Sequence, residues 1–586
     1  MRFVAAIVSF VIAFGLIALG IAQRTVFVPP DHVTASTVLT TPARVTVIDS
    51  KTLKALAGSQ TVDLSGSKKV FAAYGRTEDV LAWVGKASYN KIGFNKATAK
   101  LTNKLVKGTQ TNVPNPDGSD LWLGQYSRAN DLNFTVNVPA DISIVVVSDG
   151  TAPAPSHVSI RWPLDNRTPW SGPLIVGGFL FLLIGVALYL WAFIHMRRSK
   201  GPRRKAPKMP KVPRQRSYKV RKPRAATAAP GRRSRRRMIA VVPVVLIGTL
   251  ALSGCSANLW PDFSGSSTPT PSTTATVAKV PAGADVLPPV VTAPQLKVII
   301  SRIAAVAAKA DAALDPELAK TRFTGAALEL RTANYAIRKV DSTYAPATPI
   351  PTEKIDVTLP QSTNTWPRTV FTVVTTPSNK TAPPVALTLV QATPRDEYKV
   401  AYEVSLEAST VLPKMAPADV GATRLPPDSK LLVMTPSALA LGYGDILEKG
   451  AESPFFKQFD TSKDALIGLI GLDARKKQQA ALPPTAAMSF ANSDGPAETI
   501  ALGSNDAGAI VATDLNETVT VKPVEAGAAV NPEGAVKSLS GITGTTKGTT
   551  AVYGDQLLFY VPPVSSKDKV VLLGFATGLI SAKELP

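Results

Sequence analysis

The stretch LIVGGFLFLLIGVALYLWAFIHM, residues 174–196, decides the class of this chain. It carries no charge, is followed directly by Arg197 and Arg198, and at ~1.5 Å per residue is long enough to cross a bilayer as a helix. Trp170 and Trp191 lie near its two ends, where amphipathic rings favour the membrane interface. The stretch therefore predicts a transmembrane helix.

Two further apolar runs lie on either side of this one. Residues 3–22 are uncharged and lie between Arg2 and Arg24, which predicts an anchor. Because residues 20–22 (Gly-Ile-Ala) have the small-x-small pattern of a signal-peptidase site, a cleaved signal peptide is the alternative. Residues 238–254 include Pro243 and are only marginally long enough to span. We therefore expect a membrane protein with two to three transmembrane segments.

The positive charge of the chain is concentrated in one segment. The formal net charge is +23, yet 19 Lys and Arg and no Asp or Glu lie between Arg197 and Arg237, which leaves 46 basic and 42 acidic residues elsewhere. Positive segments beside membrane spans stay on the cytoplasmic side. This places the protein in the plasma membrane, with residues 25–170 and the region after 254 on the extracytoplasmic side.

The basic segment is expected to be a disordered cytoplasmic linker that meets anionic lipid headgroups. Its six prolines oppose a stable helix. Tyr218 is its one aromatic residue, so stacking on bases is not expected and nucleic acid is an unlikely partner. The membrane-surface basic cluster consists of Arg197, Arg198, Arg203, Arg204, Lys205, Arg232, Arg233, Arg235, Arg236 and Arg237.

The single cysteine of the chain ends the sequence Leu252-Ser253-Gly254-Cys255, which follows a basic and then an apolar region. This arrangement resembles a bacterial lipoprotein signal with its lipobox, in a chain whose Ala/Pro/Arg-rich composition is of actinobacterial style. The resemblance implies a diacylglyceryl anchor on Cys255 and cleavage just before it by signal peptidase II. A Ser/Thr/Pro-rich tether, 256–289, follows.

This lipoprotein-type signal departs from its family pattern because it begins after some 230 residues. Three interpretations stay open. The chain is processed into two proteins; or it stays intact with 238–254 as a third helix; or two adjacent coding regions are fused. In each of these interpretations the C-terminal region lies on the extracytoplasmic side of the membrane.

The first outward region, 25–170, is predicted to be mostly β and sandwich-like. Strand-like segments lie at 43–48, 70–74, 132–138, 142–147 and 158–162. One helix is predicted at 77–84, with Thr77 as its N-cap and acidic residues in its first turn. The acidic stretch 115–120 has turn chemistry, without the spacing of a calcium loop.

The second outward region is predicted to be α+β, in two halves, 290–425 and 426–586. Helices are predicted at 295–314, 316–340, 435–449 and 462–479, and strands at 369–375, 385–393, 397–408, 486–491, 498–502, 509–513, 518–524, 556–561 and 569–575. The repeated order of helices before strands is similar to a duplicated nuclear-transport-factor-2-like or cystatin-like cone. The other boundaries are 1–24 for the first anchor or signal, 171–196 for the second span, 197–237 for the linker and 238–255 for the lipoprotein-type signal.

The residue inventory excludes several activities. No histidine follows Cys255, so a Ser-His-Asp or Cys-His hydrolase or a His-ligated zinc site cannot be built there. Phosphate-binding glycine loops are absent, and no cofactor is expected. We therefore expect a non-enzymatic binding or scaffolding role in the cell envelope, toward an unidentified envelope protein or glycan. The alternative is an enzyme that cleaves cell-wall glycans through paired carboxylates.

Overall fold

The computed structural model of the chain describes residues 2–199 and 287–586, apart from positions 41, 140, 165 and 409. These residues form two compact units. One unit contains Met1–Thr34, Leu56–Gln60 and the chain from Arg161 onward through the second apolar helix. The other contains Ala35–Ala55, Thr61–Ile160 and residues 287–586. The second unit thus brings together most of residues 25–170 and the whole described C-terminal region.

Two helices, α1 (Arg2–Thr25) and α4 (Ser171–Ser199), are long and apolar enough to cross a membrane. They run antiparallel and in close contact. A Cβ added to Gly20 would lie 2.7 Å from Ile175 Cγ1, and one added to Gly178 would lie 2.6 Å from Ile17 Cγ1. Small residues at such crossings let helix backbones approach in a membrane. Both predicted spans are therefore helices, whereas the third run, 238–254, lies outside the described residues.

The region predicted at 25–170 forms a domain of eight strands, here called the β domain. The strands are β1 (His32–Val38), β2 (Val45–Ile48), β3 (Gln60–Arg76), β4 (Tyr89–Asn95), β5 (Lys100–Val106), β6 (Gly124–Val136), β7 (Ile142–Val147) and β8 (His157–Pro163). The helices are α2 (Ser50–Leu53) and α3 (Thr77–Val84). The order in the sheet is β1-β8-β3-β7-β2-β4-β5, with β6 paired to β3.

The β content of this domain agrees with the sequence, but two details differ. Hydrogen bonds join all eight strands into one sheet, so the expected pair of facing sheets does not describe the pairing. Helix α3 has the predicted bounds, but Arg76 is its N-cap. The Thr77 hydroxyl instead donates to the backbone oxygen of Asp141 at 2.7 Å, which ties the helix start to the chain before β7.

The C-terminal domain, residues 287–586, combines helices with ten strands. The helices are α5 (Ala293–Ala313), α6 (Pro316–Lys320), α7 (Gly325–Val340), α8 (Leu439–Lys449), α9 (Ala465–Ile470), α10 (Leu472–Ala480) and α11 (Gly534–Ser540). The strands are β9 (Lys354–Pro360), β10 (Arg368–Thr375), β11 (Val385–Gln391), β12 (Lys399–Leu406), β13 (Arg424–Leu425), β14 (Ala486–Asp494), β15 (Ile500–Gly503), β16 (Ala509–Pro523), β17 (Thr549–Val561) and β18 (Val571–Glu584).

One sheet runs through both predicted halves of this domain. Its order is β13-β15-β16-β17-β18-β12-β11-β10-β9, with β14 on β16, and the β12–β18 pair joins strands of the two halves. Helices α5 and α7 help to bury the β10–β12 end, while α8 and α9 pack on the β15–β18 end. The halves therefore share a single continuous sheet.

Several helix and strand boundaries differ from prediction for local reasons. The helix predicted at 462–479 is divided at Gly471, whose extended backbone is the C-cap of α9 and the N-cap of α10. The helix predicted at 316–340 is divided into α6 and α7. Strand β16 joins the segments predicted at 509–513 and 518–524, because its pairing with β17 continues without a break from Ala509 to Val521.

Candidate docking interface

A buried carboxylate of the β domain lies at the centre of its contact with the C-terminal domain. Asp120 belongs to the loop between β5 and β6, and only 1% of its surface is exposed. The loop approaches the start of α5, where Thr292 and Gln295 form a reciprocal capping box. The Gln295 side-chain amide also donates to the backbone oxygen of Asp120 at 2.6 Å. Gln295, in the first turn of α5, thereby also contacts the β domain.

Two arginines of the C-terminal domain neutralise Asp120. Arg302 Nη1 lies 3.0 Å from Asp120 Oδ1, and Arg322 Nη1 pairs with Oδ2. The backbone N–H of Tyr398 donates to the same Oδ2 at 3.0 Å. The carboxylate is therefore held by donors from α5, from the turn after α6 and from the start of β12. Such a carboxylate can be withdrawn from water because every partner compensates for its desolvation.

Glu397 completes this ionic group, which we call the Asp120 cluster (Asp120, Arg302, Arg322 and Glu397). Glu397 Oε2 accepts the Asp120 backbone N–H at 3.0 Å and lies 3.4 Å from Arg322 Nη2. Burial, followed by the nearby negative charge of Asp120, raises the pKa of Glu397 from 4.5 to about 8. Docking of the two domains therefore favours the protonated form of Glu397.

Docking is expected to depend on pH through Glu397. A raised pKa in the docked state means that the contribution of Glu397 to docking is complete below about 4.5 and is lost as pH rises through about 8. Glu397→Gln should remove this dependence and strengthen docking near neutral pH. Affinity measured between separately purified halves at several pH values checks this. An unchanged pH profile in Glu397→Gln would assign the dependence to another group.

A second carboxylate, Asp79 on α3, contacts the C-terminal domain some distance along the same interface. Arg76 Nε lies 2.9 Å from Asp79 Oδ2, and Arg368 Nη2 lies 2.6 Å from Oδ1. The Arg368 side chain is 1% exposed and lies over the Trp366 ring, 3.6 Å from its centre. Arg76 Nη1 also donates to the backbone oxygen of Pro289 at 3.3 Å. Asp79 is thus shared between an arginine of its own domain and one of the other.

Tryptophans and backbone carbonyls extend the contact between these ionic groups. Trp366 packs against the hydrophobic core of the β domain, which includes Trp83 and Trp122. Arg395 Nε donates to the backbone oxygen of Trp83 at 2.8 Å, and Arg395 Nη2 donates to the backbone oxygen of Val84 at 2.9 Å. These carbonyls end helix α3, where a cation is favourable. The interface therefore combines a shared apolar core with directed polar contacts.

In the Asp120 cluster, the arginines pair with the carboxylates, so no carboxylate of the cluster is free to contact a substrate. Asp120 and Glu397 are close together, but the Asp120 side chain has no exposed surface and both carboxylates are paired with arginine. A cavity of about 290 Å³ lies beside them, between the loop at 119–125 and the start of α5. Among the residues that the structure describes, no group of three or more His, Cys, Asp or Glu side chains could hold a metal ion.

The sequence-predicted site residues lie elsewhere. Arg197 and Arg198 are in the last turn of α4. The lipobox residues Leu252, Ser253 and Gly254, with Cys255, lie outside the described residues, as does the rest of the basic cluster: Arg203, Arg204, Lys205, Arg232, Arg233, Arg235, Arg236 and Arg237.

The interface itself was not predicted from the sequence. Residues 115–120 were predicted to form a polar turn, and the Asp117 N–H does donate to Asn115 Oδ1 at 3.3 Å, as such a turn requires. Asp120, at the end of the same stretch, is instead buried against residues that lie almost two hundred positions or more away in the chain. A polar stretch that ends next to Leu121 and Trp122 was the one available signal.

Comparison with known proteins covers only one side of this interface. A family model described as "Domain of unknown function (DUF8094)" matches residues 287–584. No curated protein and no solved structure matches the chain. The match contains Arg302, Arg322, Arg368 and Glu397, while Asp79 and Asp120 precede it.

Proposed function

This chain belongs to the DUF8094 family, and from that premise we propose that its β domain is a membrane-anchored dock for the DUF8094 domain. The role is binding and scaffolding in the cell envelope. The observation that carries the proposal is the pairing of buried Asp120 with Arg302 and Arg322 of the DUF8094 domain. Such pairs tolerate little misplacement, because a displaced charge would be buried without a partner.

The composition of the interface supports specific docking over incidental contact. Asp120 and Asp79 are both almost fully buried, and each carboxylate contacts at least one arginine of the DUF8094 domain. Trp366 adds a large apolar side chain that packs into the core of the β domain. Buried aromatic and arginine anchors of this kind contribute most of the binding energy in protein interfaces.

The anchoring and sidedness of the two domains are part of the same proposal. Antiparallel α1 and α4 would return the chain to the side from which it entered, and the basic segment after Arg197 would keep that side cytoplasmic. The β domain would then face outward, and export through the third apolar run, 238–254, would bring the DUF8094 domain to the same side. Lipidation of Cys255 would give the DUF8094 domain its own anchor, and docking would hold two cleaved products together.

Processing at the lipobox gives the first test. We expect a C-terminally tagged chain to yield a fragment beginning at Cys255, and this fragment should disappear with a signal peptidase II inhibitor or in Cys255→Ala. Immunoblots of envelope fractions measure it, with Ser256→Ala as the neighbouring control. A full-length band that neither treatment changes would contradict cleavage, while leaving the docking of the two domains open.

Docking is tested by separating the two parts. Residues 1–254 and residues 255–586, the latter behind a cleavable secretion signal, are produced as two chains in the same cells. We expect a tag on either chain to recover both from solubilised membranes, in near-equal amounts. Recovery of the tagged chain alone, with both chains folded and exported, would refute the docking role.

A further inference from the structure

A cavity of about 220 Å³ lies wholly within the DUF8094 domain, apart from the docking interface. Helix α7, the segment 344–348 and strands β12, β17 and β18 enclose it. Several polar side chains converge on it: Asn334, Tyr344, Glu403, Ser405, Gln556 and Thr577. The lining is rich in hydrogen-bonding groups, and all of it comes from the DUF8094 domain. We call this space the α7 cavity.

The charges beside the α7 cavity are already paired with each other. Arg331 Nη1 lies 2.6 Å from Asp311 Oδ1, and its Nη2 lies 2.8 Å from Glu403 Oε2. Arg331 Nη2 also donates to the Thr348 backbone oxygen at 3.1 Å. Burial raises the pKa of Glu403. The guanidinium is thus held by two carboxylates of the same domain, so Arg331 is not free to pair with an anionic ligand in the α7 cavity.

Hydrogen-bond acceptor capacity, in contrast, is in excess. Glu403 is 8% exposed and its Oε1 has no hydrogen-bond partner within the described part of the chain, and the same holds for the buried Oδ1 of Asn334. Gln556 Oε1 accepts the Glu403 backbone N–H at 2.8 Å, which fixes the amide at the cavity wall. Buried polar atoms are normally paired, so unmet acceptors beside a cavity point to a ligand that donates hydrogen bonds.

We propose that the α7 cavity binds a neutral polyhydroxylated ring, a saccharide unit. Each sugar hydroxyl both donates and accepts, which suits the mixture of carboxylate, amide and hydroxyl groups on the walls. The ring of Tyr344, packed with Ile337 and Leu579, supplies an apolar surface beside them. Convergent polar groups in a small preformed concavity are typical of such binding sites. The DUF8094 domain would then carry a glycan-binding site in addition to its docking surface.

Saturation-transfer NMR on the full chain in lipid nanodiscs tests saccharide binding. The samples contain no detergent with a sugar headgroup, because such a detergent would compete for the site. The probes are glucose and N-acetylglucosamine as neutral saccharides, glucuronate and glucosamine as charged ones, and cyclohexanol as a ring with one hydroxyl. We expect the neutral saccharides to receive saturation and the other three to receive little. Absence of transfer to both neutral saccharides, or stronger transfer to a charged analogue, would overturn the proposal.

Variants assign any binding to the α7 cavity. Ala347→Trp should fill it and abolish transfer, whereas Thr332→Trp, on the exposed side of α7, should leave transfer unchanged. Ser405→Ala removes one lining hydroxyl and should weaken binding by about fivefold, as the loss of a single hydrogen bond does. Binding that survives Ala347→Trp would refute the site. Because the α7 cavity lies wholly within the DUF8094 domain, this outcome does not depend on whether the two parts of the chain dock.

Discussion

Asp120→Ala is expected to separate the two domains. The substitution leaves Arg302, Arg322 and the Tyr398 N–H without their shared acceptor in a buried interface. Removing one member of a buried ion pair costs about 3–5 kcal/mol, since the remaining charge stays desolvated. For domains produced as two chains this corresponds to roughly a 100-fold or greater loss of affinity. Co-purification and titration of the separated chains measure it.

Two further substitutions give this prediction its controls. Asp120→Asn keeps an acceptor for the Tyr398 N–H while removing the charge, so its effect should be smaller than that of alanine. Asp131→Ala removes an exposed carboxylate of the same domain and should not change docking. Equal affinities for wild type and Asp120→Ala, with both chains folded, would show that the Asp120 cluster does not hold the domains together.

The second large effect is expected inside the DUF8094 domain, from Arg331→Met. The Arg331 side chain is 2% exposed, contacts Asp311 and Glu403, and lies 4.3 Å from the centre of the Phe323 ring. Methionine fills part of the space but leaves two carboxylates facing each other without a cation. We expect the free energy of unfolding to fall by about 3–5 kcal/mol. Urea titration followed by circular dichroism measures this loss.

The charge imbalance left by Arg331→Met can be tested separately from its lost packing. Adding Glu403→Gln removes one of the two unpaired carboxylates, so the double variant should recover part of the lost stability. Lys339→Met, an exposed change on the same helix, should have little effect. If the double variant is no more stable than Arg331→Met alone, lost packing rather than unpaired charge dominates the effect.

The parts of this fold that could be predicted from sequence are those that local interactions determine. Runs of apolar residues predicted α1 and α4 because a membrane-spanning helix satisfies its own backbone. Strand β7 and helix α3 have the predicted bounds, since their patterns are local. Strands β4 and β5 were missed: their sequences YNKIGFN and KLTNKLV are polar, and they form through pairing with each other and with β2.

The docking interface could not be predicted from local sequence patterns. Asp120, Arg302 and Arg322 each look like ordinary surface residues, and only tertiary contact gives them their burial. The sequence did supply the membrane class and the balanced charge of the folded regions. It could not supply the partner of any single charge, because a charge in a polar loop has no periodic pattern that points to the other domain.

The pairing of Asp120 with Arg322 has an entropic consequence. In the uncut chain this contact closes a loop of 202 residues, which includes the basic and Ser/Thr/Pro-rich segments. The entropy cost of closing a flexible loop grows only with the logarithm of its length, by about 0.6 kcal/mol for each doubling. Insertions of a few tens of residues within 256–286, after the lipobox, should therefore change docking very little. The length of that segment is free to vary, while the four side chains of the Asp120 cluster are not.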